Sequence, residues 1–187
     1  MRMEWVIAAI LFVAGAYAVI LYNRLVRLRN LTQEGWSGID VQLRRRTDLI
    51  PNLVDTVKAY AAHERALFED IARKRALSIT ADNVPGQAVA ERALQGSLGR
   101  LIALAESYPD LKADKHFHTL QEQLAEIEDQ LQMARRYYNG TVRDLNIAIQ
   151  SFPNTLVSRP LGFKEAQFFE LDDRADAAVP AVAMSRY

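Results

Sequence analysis

The residues best suited to catalysis or metal binding are three histidines and the acidic residues near them. His63 is followed by Glu64, as in the helical zinc-protease motif, but Leu67 occupies the position where that motif needs its second histidine. His116 and His118 are two positions apart, so a helix places them on different faces. No other histidine or cysteine is near them in sequence. We therefore expect surface histidines, with no metal and no cofactor.

The composition argues against several other kinds of chemistry. The chain has no cysteine, which excludes thiol catalysis, disulfides and thiolate zinc sites. It also has no glycine-rich phosphate loop and no nucleophile elbow. The residues three before each histidine are not glutamates, so the Glu-x-x-His pairs of di-iron bundles are missing. With 23 basic and 23 acidic residues the net charge is zero, which argues against nucleic acid as a partner. The sequence predicts a protein that is not an enzyme.

A charged stretch within an apolar pattern, RRRTDLIPNLVDTV at residues 44–57, is the best candidate for a recognition site. Successive helical residues point about 100° apart, and of the three arginines only Arg46 lies on the apolar seam. Either Arg46 reaches Asp48, Asp55 or an anionic partner at the kink, or the arginines extend along apolar neighbours and pair with glutamates of the third helix. We favour the second interpretation, although Pro51 should kink the helix and free the Thr47 carbonyl beside three cations. The candidate recognition residues are Arg44, Arg45, Arg46, Asp48, Pro51 and Asp55.

The first element that must hold these residues is an apolar segment at the amino terminus. WVIAAILFVAGAYAVILYN has 19 residues without a charge, close to the ~20 that cross a bilayer as a helix. Aromatic rings stand near both of its ends, and three arginines follow it. The positive-inside rule then places the amino terminus outside and the remainder in the cytoplasm. The predicted membrane-interface residues are Trp5, Tyr22, Arg24, Arg27 and Arg29.

A cleaved secretory signal is the alternative for this segment. Ala16-Tyr17-Ala18 fits the small-x-small pattern of a cleavage site, and cleavage would invert the compartment. The apolar run continues through Leu21, however, and the positive charge follows it instead of preceding it. We favour an uncleaved single-pass anchor.

The remainder of the chain has a helical period. From Trp36 onward apolar residues recur every three or four positions, with the near-heptad period of a coiled coil. This seam continues in phase past Pro51 as far as Ile71, so we predict one long, kinked first helix. It stops at ADNVPGQ, residues 81–87, where an aspartate or asparagine can cap the next helix.

Two further long helices should follow. The second runs to about Ser107, and the third runs from near Asp114 until Pro153 interrupts it. Close helix packing is the expected reason for Gly96 and Gly99 inside the second helix. Short connections make neighbouring helices antiparallel, so we predict an all-α, elongated antiparallel bundle.

The segment after the third helix should cover the bundle with its phenylalanines. Phe163, Phe168 and Phe169 are suited to this role, in a short C-terminal helix. The alanine, valine and proline composition that follows is typical of a frayed tail. The predicted domains are a transmembrane anchor, a helical bundle and a flexible tail, at residues 1–23, 24–170 and 171–187.

Several motifs occur in a specific order along the chain. YNRLVRLRN precedes WSGIDVQLRRRTDLIPNLVDTVKAYAAHE, and YPDLKA, ARRYYN and IQSFP follow. From about Leu21 to Phe169 the chain resembles the LemA family of bacterial membrane proteins, with Gly35 where alanine is common before the tryptophan. The resemblance implies an anchor with the amino terminus outside, a cytoplasmic helical bundle and no established reaction. The family also includes a magnetosome protein required for forming that membrane compartment.

Three functions are compatible with these features. The leading hypothesis is a membrane-anchored, non-enzymatic scaffold in the bacterial inner membrane. Its expected partners are the lipid bilayer and an unidentified protein, with a second copy of the chain as a further option. The second is a factor that shapes or assembles membrane compartments. The third is a metal-dependent sensor or enzyme with a site between helices, formed by residues such as His63, Asp55 and Arg46.

Overall fold

Six helices account for most of the part of the chain that the computed structural model describes, residues 2–170. They are α1 (Arg2–Lys58), α2 (Arg65–Ile79), α3 (Val84–Glu106), α4 (Pro109–Lys112), α5 (Lys115–Gln150) and α6 (Thr155–Ser158). Residues 2–170 contain no strand, so the predicted all-α class is confirmed. The predicted flexible tail lies outside the described residues.

The antiparallel helices α1 and α5 form the axis of the bundle. Leu21 packs in a cluster with Leu145, whereas Ile50, farther along α1, packs in a cluster with Leu124, nearer the start of α5. At 1.5 Å per residue, α1 is about 85 Å long and α5 about 54 Å. The longer helix therefore extends beyond its partner. Residues 3–20, which we call the arm, are exposed apart from the half-buried Ala18.

Helices α2 and α3 form a hairpin that covers the half of the α1–α5 pair farther from the arm. Asn83 caps α3, because its side chain accepts a hydrogen bond from the Gly86 amide at 2.8 Å. Asp114 caps α5 in the same way, accepting from the amides of His116 and Phe117 at 2.7 and 3.2 Å. An aspartate or asparagine cap for α3 was predicted from the sequence, whereas for α5 only a start near Asp114 was predicted and not the cap. Both caps are present in the structure. They fix where two of the helices that surround Arg46 begin.

The predicted first helix is divided in two. Helix α1 ends at Lys58, a turn follows, and α2 begins at Arg65. The apolar seam continues across this break because Ala61, within the turn, is buried in the same cluster as Val57 and Ile71. A periodic apolar pattern indicates which side chains are buried. A tight turn can keep that pattern in phase even though the helix is interrupted.

The predicted helix around Phe163 and Phe169 is also absent; the short C-terminal helix is α6, and residues 163–170 are not helical. We call residues 163–170 the strap. The Asn146 side chain accepts from the Ala166 amide at 2.8 Å and donates to its carbonyl at 2.9 Å. Asn139 holds Phe169 in the same two-bond manner, at 2.9 and 3.1 Å. These side chains occupy backbone groups that a helix would need, so the strap stays extended.

The glycines of α3 do not mediate close packing. A Cβ atom built at Gly96 or at Gly99 would have no neighbour within 4 Å, so the interpretation based on close helix packing is wrong. Gly35 of α1 is the closely packed glycine: its Cβ would lie 3.1 Å from the Tyr138 Cα of α5. Of these three glycines, only Gly35 lies at a close contact between helices, where α1 meets α5.

Candidate recognition site

Arg46 lies in the interior, between α1, α3 and α5, and is fully buried. Its guanidinium donates to the Glu91 carboxylate of α3 and, through Nη1, to Glu128 Oε1 of α5 at 2.5 Å. Charged groups removed from water are stable only when they are paired and hydrogen-bonded. Arg46 therefore joins three helices, and its charge is not presented to an external partner.

Glu91 is the second buried member of this arrangement, with 0% exposure. Its Oε1 accepts a hydrogen bond from the Ser78 hydroxyl of α2 and another from Gln87 Nε2 at 2.8 Å. These donors satisfy the carboxylate oxygen that Arg46 does not contact. One polar network thus connects α1, α2, α3 and α5. We call it the Arg46 network: Arg46, Ser78, Gln87, Glu91 and Glu128.

The other two arginines of the triplet lie on the surface. Arg44 Nε is 2.9 Å from Asp40 Oδ2, one helical turn earlier. Arg45 donates to the Gln42 side chain at 3.2 Å. Both interactions are exposed pairs within one helix, which contribute little to stability. The triplet therefore combines one structural arginine with two accessible ones.

Pro51 lies inside α1, as predicted. Because proline has no amide N–H, the Thr47 carbonyl lacks its helical donor. Arg75 Nε of α2 supplies that donor at 2.8 Å. Asp55, one turn beyond the proline, is exposed. The structure therefore does not gather the six predicted recognition residues into one site.

A cleft of about 670 Å³ opens between α1 and the turn that joins α2 to α3. Ser78 and Gln87 of the Arg46 network line it, as do the predicted recognition residues Arg44 and Asp48. The other lining residues are Trp36, Asp40, Leu43, Thr47, Ile79, Ala81, Asp82, Asn83 and Val84. Carboxylates thus outnumber cations on the wall. A polar or basic segment of a partner suits such a surface.

A second group of charges joins α2 to α3 near the surface. Asp70 of α2 accepts hydrogen bonds from Lys74 at 2.8 Å, Ser97 at 2.7 Å and Arg100 at 2.5 Å. The hydrogen bonds from Lys74 and Ser97, together with the nearby positive charges, hold the pKa of Asp70 well below its usual range. We call these four residues the Asp70 cluster. The cluster joins the two helices of the hairpin and remains in contact with water.

The predicted membrane-interface residues lie where the arm meets the bundle, except for Trp5 at the far end of the arm. The Tyr22 ring meets the Phe163 ring edge-on at 5.9 Å between centroids. Arg29 also lies over the Phe163 ring, with its Cζ 5.5 Å from the ring centroid. All five residues are exposed. Three of them make no aromatic or cation–π contact within residues 2–170: Trp5, Arg24 and Arg27. The strap therefore shares this junction with α1.

The three histidines are exposed. His118 Nδ1 lies 3.3 Å from Glu122 Oε1 on the surface of α5. Within residues 2–170, no group of three histidine, cysteine, aspartate or glutamate side chains could hold a metal ion.

Glu91 is the main residue that the sequence reasoning missed. It lies three positions before Leu94 and seven before Leu98, on the apolar seam of α3. An acidic residue on the seam of one helix is the natural partner for Arg46 on the seam of another, because neither charge can be buried alone. Comparing polar residues between seams would have identified this pair.

Similarity to known proteins extends over most of the chain. The LemA family profile matches residues 35–184. Magnetosome protein MamQ 2 of Paramagnetospirillum magneticum is 26% identical over 201 residues, covering 92% of this chain and 74% of that protein. Magnetosome protein MamQ of Magnetospirillum gryphiswaldense is 26% identical over 184 residues, with coverage of 84% and 68%. Protein LemA of Metamycoplasma hominis is 25% identical over 152 residues, with coverage of 81% and 69%. Because the family profile matches most of its length, this chain belongs to the LemA family.

Proposed function

We propose that this protein is a single-pass scaffold of the bacterial inner membrane, whose helical bundle binds another protein and catalyses no reaction. The observation that carries the proposal is the continuity of α1. One uninterrupted helix begins as an exposed apolar arm, long and apolar enough to cross a membrane, and ends as the axis of the bundle. Such a helix holds the bundle, and the cleft on it, at a fixed distance from the bilayer.

The charge around the arm supports a cytoplasmic bundle. Arg24, Arg27 and Arg29 follow the arm directly, whereas the single arginine ahead of it, Arg2, is offset by Glu4. Basic residues next to a span favour the cytoplasmic side. The amino terminus would then lie outside.

The cleft is the surface we propose for the partner. It contains two of the accessible residues expected to take part in recognition, Arg44 and Asp48, and it borders the Arg46 network, which makes its floor rigid. Asp48 and Asp82 are exposed on its wall. A basic segment of the partner could pair with these carboxylates.

Site-specific cross-linking in intact cells tests this site. A photo-reactive amino acid at Asp82, in the cleft, should yield a discrete cross-linked species. The same group at the exposed Gln132 of α5, outside the cleft lining, is the matched control. A second change, Asp48→Ala, should weaken the cross-link from position 82, whereas Asp55→Ala should leave it unchanged. Equal cross-linking from positions 82 and 132, or no effect of Asp48→Ala, would remove the cleft from the proposal.

Topology can be tested independently, because the chain has no cysteine of its own. A cysteine introduced at Gln132 should react with a membrane-impermeant maleimide only after cells are permeabilised. Reaction in intact cells would place the bundle outside the cytoplasm. The search for a partner would then move to the cell envelope.

A second candidate function is supported by the similarity to two magnetosome proteins. On this alternative, the protein shapes or assembles a membrane compartment. The purified full-length protein should then deform liposomes as its surface density rises, as judged by electron microscopy. A scaffold that only recruits another protein leaves the vesicles spherical at the same density.

A further inference from the structure

The turn between α5 and the strap lies at the end of the bundle from which the arm emerges. We call residues 151–162, which include α6, the tip. Asn154 Oδ1 accepts a hydrogen bond from the Tyr17 hydroxyl at 3.4 Å, and α6 packs beside α1. Leu21 is buried against Ile149 and Phe163, which flank the tip on either side in sequence. The tip therefore lies next to the arm.

The tip exposes large apolar side chains. Phe152 is 81% exposed, Leu156 is 64% exposed and Leu161 is 53% exposed. The inner residues of the same segment are covered, since Ser158 is fully buried and Val157 packs on the cluster around Leu21. Neighbouring apolar residues that project away from a core mark an interaction surface.

The position of the tip along α1 indicates what this surface meets. Tyr17 is twelve residues from Trp5, or about 18 Å along a helix. Leu21, where burial in the bundle begins, is about 24 Å from Trp5. The hydrocarbon layer alone is about 30 Å thick. If Trp5 lies at one face of that layer, the tip contacts α1 at a point less than 30 Å from that face, where the helix is still inside the hydrocarbon. The tip must therefore enter the membrane surface.

The charge of this end of the molecule fits a lipid surface. The whole chain is neutral, yet residues 5–33 and 145–164 contain no aspartate or glutamate. Their charged residues are all basic: Arg24, Arg27, Arg29, Arg159 and Lys164. Basic side chains next to exposed apolar ones suit anionic headgroups above acyl chains.

The backbone of the tip is also suited to an apolar environment, where unpaired amides are costly. Pro153 and Pro160 have no N–H to satisfy. The N–H groups of residues 155–159 and 161–163 all donate to backbone carbonyls of the same turn. Ser158 Oγ donates to the Ile149 carbonyl at 3.0 Å. These internal bonds reduce the cost of moving this loop out of water.

We propose that the tip inserts into the surface of the bilayer beside the arm, with Phe152, Leu156 and Leu161 in the lipid and the basic residues at the headgroups. The protein then contacts the membrane at two adjacent places, and this fixes the orientation of the bundle as well as its distance. The inference rests on the membrane anchoring proposed above.

Depth-dependent fluorescence quenching tests this contact with the full-length chain. Single cysteines carrying an environment-sensitive fluorophore would be placed at Leu156 and Phe152 in the tip, Ile10 in the arm, and Leu77 of α2. Leu77 is 60% exposed, which is close to the exposure of Leu156. Its neighbour Ser78 belongs to the Arg46 network, and Arg46 lies about 37 Å from Leu21 along α1, so Leu77 is far from the arm. The protein would be reconstituted in phosphatidylcholine vesicles containing phosphatidylglycerol, with spin-labelled lipids or aqueous iodide as quencher.

The four labelled positions separate the two proposals. We expect lipid quenching at Ile10, shallower lipid quenching at Leu156 and Phe152 with several-fold protection from iodide, and neither effect at Leu77. If Ile10 is quenched by lipid while Leu156 and Phe152 behave like Leu77, insertion of the tip is refuted and the anchor stands. If Ile10 also behaves like Leu77, the anchor is refuted, and the tip proposal with it.

Discussion

The Arg46 network and the Asp70 cluster both hold helices together through charged side chains, but one is sealed from water and the other is open. The Arg46 and Glu91 side chains are 0% exposed. In the Asp70 cluster, the Asp70 side chain keeps 22% exposure and Arg100 keeps 60%. The network connects α1, α2, α3 and α5, whereas the cluster connects only α2 and α3.

The difference shows what burial does to similar chemistry. Losing one partner leaves a surface charge solvated, but it leaves a buried charge with no compensation. Removing Arg46 should therefore cost far more stability than removing Asp70. This holds although Asp70 accepts hydrogen bonds from three side chains of its cluster, whereas Arg46 makes two salt bridges. Each prediction below changes one property in this comparison.

The largest effect should come from Arg46→Met, which keeps much of the side-chain volume and removes the charge. Glu91 is then buried without its cation, so we expect a loss of about 3–5 kcal/mol in the free energy of unfolding. Denaturation can be followed by the fluorescence of Trp36, whose ring contacts Tyr138 and Phe169 at 5.4 and 5.6 Å. Trp5→Phe in the parent protein makes this signal unique.

Two further variants show whether the unpaired charge causes that loss. Arg45→Met, at the exposed neighbour, should change stability by less than about 0.5 kcal/mol. The double variant Arg46→Met with Glu91→Met should recover most of the loss, because both buried charges are gone and Glu128, 33% exposed, can turn to water. If the double variant is no more stable than the single one, packing and not charge determines the role of Arg46.

A neutral contact should give an intermediate effect. Asn146→Ala removes both hydrogen bonds to Ala166 and leaves partly buried backbone groups of the strap unpaired. We expect a loss of about 1–3 kcal/mol, with faster amide exchange at Ala166. Asn52→Ala, at an exposed position of α1, is the control. Unchanged exchange at Ala166 would mean that the phenylalanines alone hold the strap.

Asp70→Asn should have a smaller effect that depends on pH. Hydrogen bonds from Lys74 and Ser97 lower the pKa of Asp70 in the folded state relative to the unfolded chain. The stabilisation is therefore fully present above about pH 4, near the unfolded pKa, and is lost as pH falls through the lower folded pKa. Urea titrations should show that the parent protein is more stable than Asp70→Asn at pH 7 and that this difference narrows below pH 4. A difference that stays constant down to pH 2.5 would contradict the assignment.

The features that the sequence predicted are those set by local pattern. The apolar seams predicted the helices, residues 81–87 predicted a cap that Asn83 provides, and Pro51 predicted the free carbonyl of Thr47. The break after Lys58 was missed because Ala61 keeps the seam in phase through a turn. The extended strap was missed because Asn139 and Asn146 read as ordinary polar residues of α5 until their partners in space are known.

The candidate site was less predictable, for a related reason. The sequence placed Arg46 on the apolar seam, but its partner Glu91 lies 45 residues away, and no local pattern pairs them. The cleft depends on the angle between α1 and the α2–α3 hairpin, which the sequence spacing does not contain. Residues with local roles were therefore assigned correctly more often than residues whose role depends on another helix.

The smallest effect on stability should come from Arg44→Ala, and for that reason it is the best test of recognition. Within residues 2–170, Arg44 pairs only with Asp40, one turn earlier, and the two side chains keep 77% and 44% exposure. Such pairs contribute about 0.3–0.5 kcal/mol, so the unfolding curve should hardly move. If the cleft binds a partner, however, the cross-link from position 82 should change in Arg44→Ala. Replacing all three arginines of the triplet could not show this, because losing Arg46 would destabilise the bundle and weaken binding for an unrelated reason. An unchanged cross-link in a stably folded Arg44→Ala protein would exclude Arg44 from recognition and leave Asp48 and Asp82 as the charged residues to test.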